Sequence, residues 1–196
     1  MDAERLRIAG HFAQARWRLD FRDRAALEAW QQARLRRYLR EVLPRAPRHA
    51  GRRYESLDEV PAMDKAAMMD DFAAFNTVRV SREAAMAVAL EAERSRDFAP
   101  LLPGGLAVGL SSGTSGNRGL FLVSRAERLR WAGVLLARAL PPELLRRVLT
   151  PWQPPLRVAF FLRAGNRLYD TLRSRRIDFR FHDLMAGLDG ALRRGP

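Results

Sequence analysis

Apolar residues recur at helical spacing through roughly the first 95 residues of the chain. After Asp23, a side chain suited to capping a helix, Leu27, Trp30, Leu35, Tyr38, Leu39 and Val42 form one stripe. Arg34, Arg36, Arg37 and Arg40 fall between them and are expected to face water, and Pro44 and Pro47 end the pattern. "SLDEVPAMDKAAMMDDFAAFN" predicts a turn at Pro61 followed by a short helix capped by Asp64. "SREAAMAVALEAERSR" predicts an alanine-rich helix capped by Ser81.

From Leu101 the period changes. "GGLAVGL" and "LFLVS" are strand candidates on either side of a loop of small residues. Ser124 and Glu127 form an S-x-x-E capping box for a helix whose buried face is Leu129, Ala132, Leu136 and Leu140. Pro141 and Pro142 stop it. "LRVAFFLRA" has an apolar centre that predicts a strand buried on both faces, and "NRLYDTLRSRR" a short helix. In "IDFRFHD", Ile177, Phe179 and Phe181 alternate with Asp178, Arg180 and His182, the pattern of a half-buried strand. The expectation is an α/β chain, with a mainly helical segment over 1–100 followed over 101–196 by βαβ units of a mainly parallel sheet.

Composition narrows the function classes. The 47% hydrophobic and 29% charged content is that of a globular chain. No apolar run approaches the ~20 residues of a membrane span, and the N-terminus lacks a secretory pattern, so a cytoplasmic location is expected. The absence of cysteine excludes disulfides, thiolate metal sites and thiol nucleophiles. A net charge of +13 suggests a polyanion partner. Of the 35 basic residues only Lys65 is lysine, however, and the arginines are spread along the chain among acidic residues, which favours a solvated basic surface over a nucleic-acid footprint.

The loop "LSSGTSGNRG" (110–119) carries the candidate chemistry. Gly113, Gly116 and Gly119 let backbone approach an anion and expose successive N–H groups, and Ser111, Ser112, Thr114 and Ser115 add hydroxyl donors without bulk. Arg118 adds a planar cation for phosphate oxygens. A Walker A loop would need Gly-Lys-Ser/Thr leading into a helix, whereas Asn117 and Arg118 follow Gly116 and a strand pattern follows the loop. The dinucleotide fingerprint G-x-G-x-x-G is also missing.

"SSGTSGNRG" resembles the phosphate loop of the adenylate-forming superfamily, the acyl- and aryl-CoA ligases and their relatives. The upstream "LPRAPRHAGRRYESLDEVPAMDKAAMMDDFAAFNTV", with its P-x-x-x-K element, and "VAFFLRAGNRLYDTLRSRRIDFRFHDL" are similar to the branch of phenylacetate-CoA ligases and coenzyme F390 synthetase homologues. The resemblance implies that Ser111, Ser112, Gly113, Thr114, Ser115 and Gly116 hold the β- and γ-phosphates of ATP, with Mg2+, while an aromatic or other hydrophobic carboxylic acid is activated as its adenylate. CoA is one candidate acceptor and a homodimer one candidate assembly. Ser115 stands where a second threonine is usual, and Arg118 and Gly119 where many members carry Pro-Lys. The family's metal-binding motif, its ribose-holding aspartate and its C-terminal domain with the catalytic lysine are expected beyond residue 196. The chain is thus expected to be the N-terminal part of such a ligase and inactive alone. A basic module binding nucleic acid or another polyanion, and an inactive truncated relic, are the alternatives.

The remaining reactive residues have plainer readings. Lys65 is expected to tether Asp70 or Asp71. His11, His49 and His182 lack metal-ligand spacing and are expected at the surface. Trp17, Trp30, Trp131 and Trp152 are expected to anchor a core or an interface. Asn166 and Tyr169, after a strand end, are read as packing or capping residues ahead of substrate contact.

Overall fold

The computed structural model describes residues 3–95, 97–111, 118–162 and 175–183. They form a mixed α/β arrangement in which helices α1 (Ala3–Ala13), α2 (Arg24–Glu41), α3 (Lys65–Asp70), α4 (Phe72–Phe75) and α5 (Arg82–Ser95) precede strand β1 (Ala107–Leu110). Strand β2 (Leu120–Val123), helices α6 (Arg125–Ala139) and α7 (Pro142–Leu149), and strands β3 (Leu156–Leu162) and β4 (Ile177–Asp183) follow. The capping signals are realised. Asp23 and Asp64 accept from the amides of Ala26 and Ala67, each at 2.7 Å. Ser81 Oγ accepts from Ala84, and Ser124 and Glu127 complete the reciprocal capping box.

The sheets differ from expectation. In place of one mainly parallel sheet, the described strands form two two-stranded sheets, β1–β2 and β3–β4. The β3–β4 pair is parallel, with Leu156 opposite Ile177 and Val158 opposite Phe179. β3 buries one face only. Leu156, Val158 and Phe160 turn inward, while Arg157, Ala159 and Phe161 are exposed, Phe161 to 47%. The predicted helix between β3 and β4, with Asn166 and Tyr169, lies outside the described residues. α7 is an element the proline pair concealed. Pro142 occupies its first turn, where a missing N–H costs nothing, so the residue that stops one helix starts the next.

By contacts the chain divides into two compact units, Met1–Asp20 with Leu90–Ala107 and Val123–Pro196, and Phe21–Ala89 with Val108–Leu122. The change of period at Leu101 is therefore a change of element type, and the units run across it.

In the first unit, Ala132, Leu140, Leu156, Ile177 and Phe179 form the core, joined by Ile8, Trp131 and the apolar face of α7. Phe160 and Phe179 stack across the strands at 5.5 Å. Arg176 then locks the approach to β4. Its guanidinium donates to the carbonyls of Val148, Pro151, Gln153, Arg147 and Thr150, gathering the end of α7 and the following turn. Arg176→Gln is expected to lower the unfolding free energy by about 2 kcal/mol, read as a lower urea midpoint, because several carbonyls lose a charged donor together. Trp17 and Trp152 are 65% and 84% exposed, so neither belongs to this core.

In the second unit, Leu39, Ala46, Tyr54, Met69, Phe72 and Ala85 are buried. His49, expected at the surface, is only 6% exposed. Its Nδ1 pairs with the Tyr54 hydroxyl at 3.1 Å, and its ring meets Tyr54 and Phe75 edge-on. Burial holds its pKa below the usual value of 6.5, and Arg52 and Arg48 push it the same way. The unfolded chain therefore takes up this proton first as pH falls. Stability from His49 is complete above about pH 6.5 and is lost as pH falls through the window below it. Urea midpoints compared with those of His49→Gln should show a shallower decline in the variant over that window.

Candidate phosphate-loop site

The glycine-serine loop joins two paired strands. Ser111 N donates to Gly119 O at 2.8 Å, and Gly119 N donates to Ser111 Oγ at 2.8 Å. Phe121 lies over Gly109, where a Cβ would overlap the ring. Ser111 facing Gly119 and Gly109 facing Phe121 give an antiparallel hairpin, with the loop at its tip. Ser112, Gly113, Thr114, Ser115 and Gly116 lie outside the described residues. The structure therefore fixes the base of the loop: Ser111, half-buried Arg118 and buried Gly119. It leads into β2, not into a helix, which separates it from the Walker A arrangement.

A residue from α3 completes this base. Lys65 Nζ donates to Ser111 Oγ at 2.9 Å. The reading of Lys65 as a tether for Asp70 or Asp71 is thereby corrected: Asp70 pairs with Arg82, and Lys65 turns to the hairpin. Met69, four residues along α3, meets the same hairpin, its sulfur accepting from Leu120 N at 3.4 Å. Gly119 makes the approach sterically feasible, since a Cβ there would stand 2.6 Å from Lys65 Cε. The contact spans 46 residues of sequence. Two signals in the sequence single it out, its being the one lysine among 35 basic residues and its place at the end of the P-x-x-x-K element.

The geometry has a chemical consequence. A serine hydroxyl offers one donor and two acceptor sites. Both acceptor sites of Ser111 are taken, by Lys65 and by Gly119. Its O–H is left to donate, and an ammonium bonded to the same oxygen strengthens that donor. A polarised hydroxyl beside a cation is suited to an anion and unsuited to a metal ion. Among the described residues no group of three His, Cys, Asp or Glu side chains could hold a metal.

No family model, curated protein or solved structure matches the chain. The functional reading therefore rests on the hairpin loop and the residues that pin it. Among the described residues no helix is long and apolar enough to cross a membrane.

Proposed function

We propose that the chain is the N-terminal part of an ATP-dependent ligase that activates a carboxylic acid, aromatic or otherwise hydrophobic, as its adenylate. The observation that supports phosphate binding is the clasp of Lys65, Ser111 and Gly119 at the base of a loop rich in hydroxyls and glycines, while the reaction and the class of acid rest on the resemblance of the loop and its flanking segments. In this reading the acid's carboxylate oxygen attacks the α-phosphorus of ATP, the bond from that phosphorus to the bridging oxygen breaks, and pyrophosphate leaves. Charge builds on the β- and γ-phosphates as that bond breaks. The loop amides and the hydroxyls of Ser112, Thr114 and Ser115 receive it, with Ser111 O–H and the Lys65 ammonium at the base. Preorganisation is the role of the clasp: it sets both loop ends before ligand arrives. ATP would bring Mg2+ on its own phosphates, and the described residues supply no ligand set for that ion.

ATP–pyrophosphate exchange by the product of the complete reading frame, across a panel of aryl acids, tests the reaction. Exchange that depends on one or a few acids, and that falls on Ser112→Ala or Thr114→Ala, is the expected result. No exchange, or exchange indifferent to both substitutions, counts against it.

A further inference from the structure

The wall of α3 turned away from the hairpin closes a second site. An open groove of about 540 Å³ is lined by Arg48, Arg52 and the buried His49, from the segment before α3. Asp64, Asp70 and Asp71, on and beside α3, line it as well, and Pro61, Met63, Ala67 and Phe75 are among its apolar surfaces. Helical spacing explains the division of labour along α3. Lys65 and Met69 meet the hairpin, whereas Asp64, Ala67 and Asp71 line the groove.

The charges in this groove do not satisfy one another. Among the described residues no ion pair joins Arg48 or Arg52 to any of the three aspartates. Arg48 lies over the Phe75 ring at 5.7 Å, a contact that orients the guanidinium without neutralising it. Asp64 uses one oxygen to cap α3, and Asp70 reaches Arg82 at 3.6 Å with its side chain 79% exposed. Asp71 makes no side-chain cap to α4. His49 is held neutral by burial and by the two arginines, so it adds no charge of its own at neutral pH.

We propose that this groove binds a zwitterionic small molecule, an amino acid with an apolar side chain, its carboxylate on Arg48 and Arg52 and its ammonium on Asp64 and Asp71. A simple anion would gain the arginines and be opposed by three carboxylates in the same groove. A simple cation would meet the converse. Only a ligand with both charges on a short apolar body gains from the arginines and the aspartates together. The side chain of the ligand then lies against Met63, Ala67 and Phe75. The site is independent of the ATP reading, because none of these residues belongs to the loop.

L-Phenylalanine, 3-phenylpropanoate and 2-phenylethylamine share one body and differ in charge. Calorimetric titration of the purified chain should give saturable binding of phenylalanine at least roughly tenfold tighter than either analogue. Arg52→Gln should weaken phenylalanine and phenylpropanoate and spare phenylethylamine, and Asp71→Asn should do the reverse for the two analogues. Both positions are exposed, so circular dichroism of the variants should match the parent. Overturning results are no saturable binding of phenylalanine at millimolar concentration, equal binding of the three compounds, or binding unchanged in both variants.

Discussion

Lys65→Met is expected to weaken binding of pyrophosphate and ATP by roughly 30- to 100-fold while leaving the unfolding midpoint nearly unchanged. The size follows from loss of a charge-assisted donor at an anion site, worth ~2–2.7 kcal/mol. The stability half follows from position: Lys65 is only half-buried, and its ammonium bonds Ser111 at the base of the loop. Lys65→Arg is expected to fail as well, although it keeps the charge. A guanidinium is planar and broad, whereas an ammonium is compact, and the space beside Gly119 admits a lysine stem closely enough that one added methyl would stand 2.6 Å from its Cε. Gly119→Ala should therefore mimic Lys65→Met in binding by displacing the stem. Isothermal titration with pyrophosphate across these three variants is the measurement. Wild-type affinity in Lys65→Met would make the lysine a pin for the hairpin and remove it from the anion site.

That arginine so outnumbers lysine here bears on how much was legible in the sequence. Arginine serves as a general structural cation in this chain. Arg16 closes the end of α6, Arg128 is buried against the carbonyls of Gly105 and Val123, and Arg176 gathers the end of α7. Composition could not distinguish these from exposed arginines such as Arg36 and Arg53, because the difference lies in which carbonyls converge on them after folding. Caps at Asp23, Asp64, Ser81 and Ser124 were legible since donor and acceptor lie within one turn. The span of β4 was legible from alternation alone. The two-faced burial expected of β3 was not realised, because a continuous apolar run does not say how many layers will cover it. At the loop, residue types pointed to anion chemistry. The lysine that serves its base comes from a helix far upstream, and neither its rarity nor its place in the P-x-x-x-K element says what it touches.

A Gly→Ala change inside a helix gains about 1 kcal/mol of propensity when the methyl meets open space, so two glycines should give opposite signs. Gly10 in α1 has nothing within 4 Å of the position a methyl would take, and Gly10→Ala should stabilise the fold by up to about 1 kcal/mol. Gly133 in α6 is different. A Cβ there would lie 2.6 Å from Ile8 O and His11 Cβ and 2.8 Å from Phe12 N. Two of those atoms are backbone, which cannot rotate aside as a side chain can. Nor can the helices part easily. Glu4 pairs with Arg125 at the start of α6, and Arg16, just past the end of α1, donates to the carbonyls of Ala137 and Leu140 at the end of α6, so α1 runs parallel to α6 and is fastened at its start and just beyond its end. The overlap must then be absorbed by bending α1 or by breaking one fastening, and Gly133→Ala should cost about 2–3 kcal/mol net of propensity. Urea unfolding of the two variants side by side decides it. Stabilisation by both would mean that α1 does not approach α6 this closely in solution, whereas opposite signs would place the helix crossing at Gly133.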